Sequence, residues 1–179
     1  MSATIAETLA AYSADELARP LASDIEHHAR RALIDWFAAL FPGTCVSPAR
    51  ELFAALEDEV GHGRAWVYGL DKRAPIRTAA LINGSASHAV EFDDIFRDAV
   101  YHPGCPVVGA ALAAAQARSA SLADLLKAIV IGYETSTRIG LAVQPSHYKF
   151  WHTTGTIGTF GAATAVGALL KLDRGQLAH

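Results

Sequence analysis

Apolar positions recur at helical spacing along almost the whole chain. Ile5, Leu9, Tyr12 and Leu17 share one side of a helix over Thr4 to Leu17. Ile25, Ala29, Leu33, Phe37 and Leu40 form the stripe of a second helix, with Ser23 as its cap, Glu26 three residues on, and Phe41-Pro42-Gly43 as its end. His27 and His28 fall in its first turns and read as solvated polar-face histidines. Ser47-Pro48 sets a cap before a proline at the first helical position, and Leu52, Phe53, Leu56 and Val60 supply the buried face of a third helix that Gly61-His62-Gly63 stops. The short aromatic run Ala65-Trp66-Val67-Tyr68, followed by Gly69, predicts an extended crossing or an edge strand.

Helical character returns after Pro75, from Ile76 to about Val90, and continues over Pro106 to Arg118, Leu122 to Val143 and Thr153 to Leu170. The last three stretches are rich in Ala and Gly, which lets helices approach closely, so the fold class is all-α: a compact multi-helix bundle in a single domain over residues 1–179. Ser121 with Asp124 resembles an N-terminal capping pattern, although Asp replaces the usual Glu. Asp173 followed by Gln176 is another start signal. That last helix would have barely one turn before His179, too few residues to offset nucleation, so the natural polypeptide is expected to continue.

Composition narrows the function. With 179 residues, 51% of them hydrophobic and 18% charged, the chain can bury a substantial core without metals or disulfides. A formal charge of −3 offers no basic surface for phosphates, so no nucleic-acid partner is expected. Cys45 and Cys105 have neither C-x-x-C spacing nor the density of a secreted scaffold. The N-terminus lacks the basic start and apolar run of a signal peptide, and the apolar stretches are too short to cross a bilayer. A soluble cytoplasmic protein without a membrane partner is the expectation.

Two segments carry candidate chemistry. In His88-Ala89-Val90-Glu91-Phe92-Asp93-Asp94, three carboxylates stand at the end of an apolar helix, against its dipole, so they need a compensating partner. They serve either as a loop-anchoring cluster or as a functional one. The loop then reaches Tyr101-His102-Pro103-Gly104, whose proline and glycine hold the imidazole of His102 in place. A positioned imidazole titrating near neutrality can remove and return a proton at a carbon beside a carboxylate.

The second segment runs from Gln144 through Lys149, Phe150, Trp151 and His152 to Thr153, Thr154 and Gly155. The threonine hydroxyls and the N–H groups of the helix start can seat a carboxylate, with His152 beside it and Lys149 adding positive charge. Equally, Thr153 or Thr154 caps the helix while Phe150 and Trp151 plug the core. Zinc, dinucleotide, P-loop and nucleophile-elbow motifs are missing from the sequence. Asp93, Asp94, His102 and His152 offer metal-binding donor types without any local ligand spacing, and no metal is expected.

Taken together, HAVEFDDIFRDAVYHPG, KFWHTTGTIGTFGAATAVGALLKL and the terminal LDRGQLAH resemble the N-terminal helical domain of the MmgE/PrpD family over nearly the whole chain. That family includes 2-methylcitrate dehydratase, cis-aconitate decarboxylase and iminodisuccinate epimerase, all of which form or quench a carbanion or enolate beside a carboxylate without an organic cofactor. The resemblance implies a lyase or isomerase acting on a small polycarboxylic acid. It implies His102, His152 and Asp93 as catalytic residues, with Asp94, Lys149, Thr153 and Thr154 beside the substrate. It also implies a homodimer, and a second α+β domain that closes the cleft in the far longer family members. Glu91 stands where the family often has Asp, Ile95 where Thr is common, and the loop to His102 is a residue longer than in the decarboxylase pattern, which points toward dehydration or epimerisation. The competing expectation is a non-catalytic helical dimerisation or scaffold module.

Overall fold

The computed structural model describes residues 3–144 and 146–179; Met1 and Ser2 of the N-terminus and Pro145 of the loop before His152 lie outside them. Among the described residues there are eight α-helices and one two-stranded hairpin: α1 (Ile5–Ala18), α2 (Ser23–Gly43), α3 (Ala49–Ala55), β1 (Ala65–Val67), β2 (Lys72–Ala74), α4 (Ile76–His88), α5 (Gly104–Arg118), α6 (Leu122–Val143), α7 (Thr153–Leu170) and α8 (Arg174–Ala178). The all-α expectation holds. None of these helices is long and apolar enough to cross a membrane.

Local signals account for most boundaries. The Thr4 hydroxyl accepts the Glu7 N–H while the Glu7 carboxylate accepts the Thr4 N–H, which starts α1. Reciprocal boxes of the same kind start α6 at Ser121 and Asp124, and α8 at Asp173 and Gln176. The expected box at Ser23 does not form: Ala22 is the cap of α2, Ser23 is already helical, and Glu26 pairs with Arg30 at 2.6 Å one turn on. The third helix is also shorter than its apolar spacing predicts. It ends at Ala55 and gives way to a 3-10 turn over Glu57–Glu59, although Leu52, Phe53, Leu56 and Val60 all pack inward. Pro48 caps α3 from outside rather than opening it. Residues 65–67 form β1, which pairs antiparallel with β2 in the register Ala65 to Ala74.

Helix α5 lies at the centre. Val107, Val108, Ala111 and Leu112 bury one large cluster with Trp36 and Leu40 of α2 and with Leu125, Ile129 and Ile131 of α6. The inward stripe of α2 therefore includes Trp36, while Ile25 is exposed. A smaller cluster beneath the hairpin unites Val67, Ala79, Ile82 and Ala113. Glycine permits the closest approaches: a methyl on Gly132 of α6 would stand 2.8 Å from the Gly161 carbonyl oxygen of α7 and 2.6 Å from Cγ1 of Val107. Helix α4 points its C-terminus, and α5 and α7 their N-termini, at one end of the bundle, where residues 89–103 meet Gln144 and residues 146–152.

Candidate active site

Helix α4 stops at His88, two residues before the expected end, so Glu91, Asp93 and Asp94 lie in the following loop and not on the helix. Their supposed conflict with the helix dipole disappears. Glu91 adopts φ 51° and points to solvent, which swings the chain so that Asp93 returns buried beneath α4. The Asp93 carboxylate lies 3.0 Å from Nδ1 of His88, and its Oδ2 is also 3.4 Å from Nδ1 of His102. The latter contact lacks hydrogen-bond geometry and leaves that buried nitrogen without a partner. The Asp93 hydrogen bond raises the pKa of His88 above its ordinary value, against the opposing effect of burial. A neutral His88 that donates Nδ1–H to Asp93 keeps Nε2 unprotonated and able to accept a proton.

The backbone at His102 is fixed from two sides. Phe96 and Tyr101 exchange N–H to carbonyl bonds of 2.7 and 3.2 Å across a tight loop, in which Val100 takes φ 46°. Two threonines at the start of α7 then hold the strand against the bundle: Thr153 donates its hydroxyl to the Val100 carbonyl, and Thr154 accepts the His102 N–H at 3.2 Å. These hydroxyls serve the protein interior. Thr153 is fully buried, so it offers no seat for a substrate carboxylate, whereas Thr154 reaches a cleft wall while holding His102. Neither caps α7, whose N-cap is His152 without a side-chain hydrogen bond.

His152 is exposed at the mouth of the site. Its ring centroid lies 6.3 Å from that of His88, and His88 lies 4.7 Å from His102. The two imidazoles singled out in the sequence thus converge around a third, His88, to which the sequence alone assigns no role. The usable signal was its position five residues before Asp93, at the end of an apolar helix. Asp94 faces away from the imidazoles: Oδ1 accepts the Gly104 N–H at 3.0 Å, and Oδ2 accepts the Tyr133 hydroxyl at 2.8 Å. Burial raises the Asp94 pKa, opposed by those two hydrogen bonds, and burial likewise raises that of Tyr133. With both oxygens engaged, Asp94 anchors the start of α5, and it does not line the cleft. Lys149 sits exposed on the 3-10 turn His147–Lys149 and does not line the cleft. Phe150 and Trp151 are 81% and 62% exposed and do not plug the core.

A cleft of about 660 Å³ opens between α4 and α7 over the start of α5. His88, His152 and Thr154 line it, and Asp93 and His102 stand behind His88. Among the described residues, the donor atoms of His88, Asp93 and Cys105 fall within 4.8 Å of one another, a different set from the four named as metal candidates. The His88–Asp93 hydrogen bond already satisfies two of its members. Burial pushes the Cys105 thiol pKa far up.

Comparison with known proteins matches residues 5–179 to the MmgE/PrpD N-terminal domain. The cis-aconitate decarboxylase-like protein oryM of Aspergillus oryzae is 31% identical over 160 residues, covering 84% of this chain and 33% of that protein. Cis-aconitate decarboxylase of Aspergillus terreus is 28% identical over 157 residues, 84% of this chain and 32% of the relative. The human cis-aconitate decarboxylase is 35% identical over 109 residues, 58% of this chain and 22% of the relative. The chain spans about a third of the length of the two fungal relatives.

Proposed function

The chain belongs to the MmgE/PrpD family, and from that premise we propose that it carries the proton-transfer centre of an enzyme acting on a carbon beside a carboxylate of a small polycarboxylic acid. The observation that carries this reading is the buried Asp93 carboxylate, placed against both His88 and His102 at the edge of a cleft that His152 also borders. Asp93 orients the two imidazoles beside it and favours the protonated form of His88. His102 and His152 exchange the proton, with His88 as a third member of the group. Two separate imidazoles suit chemistry in which one group takes a proton while another supplies one.

The same apparatus serves each reaction of the family. In dehydration, the C–H proton passes to a neutral imidazole, and the hydroxyl departs as water with a proton from an imidazolium. In epimerisation, the proton leaves one face of the carbon and returns to the other. In decarboxylation, the bond to the departing carboxylate breaks as carbon dioxide leaves, and its electron pair, delocalised toward a second carboxylate, is quenched by an imidazolium. No organic cofactor enters any of these steps. The relatives' names bring decarboxylation forward as the first activity to assay. Of the three departures that argue against it, Glu91 and Ile95 are both exposed, and only the charge of Glu91 is felt at His88.

Deuterium uptake from heavy water into cis-aconitate, 2-methylcitrate or iminodisuccinate, followed in the full-length natural protein, tests the reading. His102→Ala and His152→Ala should each depress uptake by about a hundredfold or more, and unchanged uptake in both would remove the assigned roles. The second reading, a non-catalytic dimerisation or scaffold module, draws on one observation: Phe92, Ile95, Phe150 and Trp151 leave a broad apolar surface uncovered beside the site. It predicts a dimer with no uptake into any of these acids. A cytoplasmic homodimeric enzyme satisfies both the apolar surface and the site.

A further inference from the structure

The cleft is chemically divided. His88, His152 and Thr154 stand at one end, and the walls beyond are mostly apolar, with Ala80, Leu81, Pro106, Ala110 and Ala162 beside the hydroxyl residues Ser85 and Thr159. Because α4 runs toward the imidazoles while α5 and α7 run away from them, these apolar positions form successive layers receding from the polar end. The eight steps from Ala80 to His88 rise roughly 12 Å along α4, enough for an extended chain of several methylenes. The groove stays open because its α7 wall is built from small residues. Gly155 would meet nothing within 4 Å if it bore a Cβ; Gly158 instead lets α7 close on α5, since an added Cβ there would stand 2.5 Å from Cγ of Pro106.

Neither Lys nor Arg lines this groove among the described residues. Charge-bearing parts of a substrate therefore belong at the imidazole end, where Asp93 raises the pKa of His88, and the receding part offers a carboxylate no cation, only the hydroxyls of Ser85 and Thr159, the latter already donated to the Gly155 carbonyl. An unsubstituted tricarboxylate would leave most of the apolar length empty. We propose that the acid turned over at this site carries an unbranched alkyl substituent longer than methyl, lodged between α4 and α7 with its free end toward Leu81 and Ala162. This rests on the reading of the imidazole group as the proton-transfer centre and names the substrate class for it. The groove is continuous with that centre, which sets a substrate chain apart from a docked protein segment as its occupant.

The test is a series of 2-substituted citrates and the matching aconitates bearing hydrogen, methyl, butyl or hexyl, assayed with the full-length natural protein. Each methylene that becomes fully buried raises kcat/KM by about fourfold, so the hexyl member should exceed the unsubstituted acid by two to three orders of magnitude. Ala162→Phe, which fills the far end, should shift the optimum to a shorter chain. Leu81→Asn, at a half-exposed position that folding tolerates, should lower the hexyl-to-hydrogen ratio about tenfold. Turnover of the unsubstituted acid that falls as the chain lengthens overturns this inference and leaves the proton-transfer reading standing. A change in oligomeric state on Ala162→Phe, with chain-length preference unchanged, overturns it in favour of a protein surface on the groove. No turnover of any member overturns the proton-transfer reading and this inference together.

Discussion

The hydroxyl oxygen of Thr154 accepts the backbone N–H of His102 at 3.2 Å, across 52 positions of sequence. This bond couples the start of α7 to the loop that carries one imidazole, and thereby fixes how His102 and His152 face each other. Thr154→Val keeps the volume but strands a partly buried N–H. It should cost about 1–2 kcal/mol of stability and lower deuterium uptake further than that loss of folded protein explains. Thr154→Ser retains the acceptor and should recover most of the uptake. Urea unfolding and uptake, measured on both variants, decide the point; equal uptake by Val and wild type would show that the bond does not position the site.

Gly132, at the crossing of α6 and α7, and Gly155, on the cleft wall of α7, give two substitutions of opposite sign. Alanine is favoured over glycine within a helix by about 1 kcal/mol, so space decides each outcome. At Gly132 an added methyl meets Val107 Cγ1 at 2.6 Å and the Gly161 carbonyl oxygen at 2.8 Å, and Gly132→Ala should lose about 1–3 kcal/mol. At Gly155 it meets nothing within 4 Å, so Gly155→Ala should gain a few tenths to about 1 kcal/mol. Thermal denaturation of the two variants side by side measures this.

Apolar patterning carried much of this fold into view, because the stripes of α1, α4 and α6 and the nearly all-round apolar, small-residue run of α7 are local properties of the chain. Both ends of α6 and α7 fall where the apolar pattern and its flanking residues place them. Losses came where a tertiary contact outweighed a local signal. Ser23 has the chemistry of a cap, yet the helix starts a residue early and leaves it unused. Trp36 replaces Ile25 on the inward face because α2 packs on α4, α5 and α6 at its C-terminal half. At the site, Asp93, His102 and His152 were legible as chemistry in flanking loops. His88 was not, since only the fold-back of residues 89–93 shows that its ring meets Asp93. The burial of Thr153 and the inward turn of Asp94 likewise depend on partners at Val100, Gly104 and Tyr133, which no local spacing reveals.

Asp93 raises the pKa of His88 above its ordinary value near 6.5, so the folded protein holds that proton more tightly than the unfolded chain. The resulting stabilisation is complete below the ordinary value and is lost as pH rises through the raised one. Replacing Asp93 by Asn removes the charge but keeps a polar side chain of similar size. The stability gap between wild type and Asp93→Asn should reach about 1–3 kcal/mol in mildly acidic solution and narrow toward alkaline pH. Denaturant titrations across that range, with the ring protons of His88 followed by NMR, give both the gap and the titration that causes it. A gap that widens with pH would exclude this coupling.

Asp94 shows the opposite linkage. Burial raises its pKa above the ordinary value near 3.8, so ionisation costs the folded state free energy, and the protein should lose stability as pH rises from the ordinary value through the raised one. Asp94→Asn abolishes that slope while keeping an acceptor for the Gly104 N–H and a polar partner for Tyr133, and at neutral pH it should match or exceed wild type. Asp94→Ala leaves the N–H at the start of α5 and the Tyr133 hydroxyl buried without their acceptor, a loss of about 2–4 kcal/mol for the pair. Uptake separates anchoring from substrate contact. An anchor predicts near-normal deuterium uptake in the Asn variant and loss in the Ala variant that tracks unfolding, whereas a group touching substrate would show a raised KM in both, with folding intact in the Asn variant.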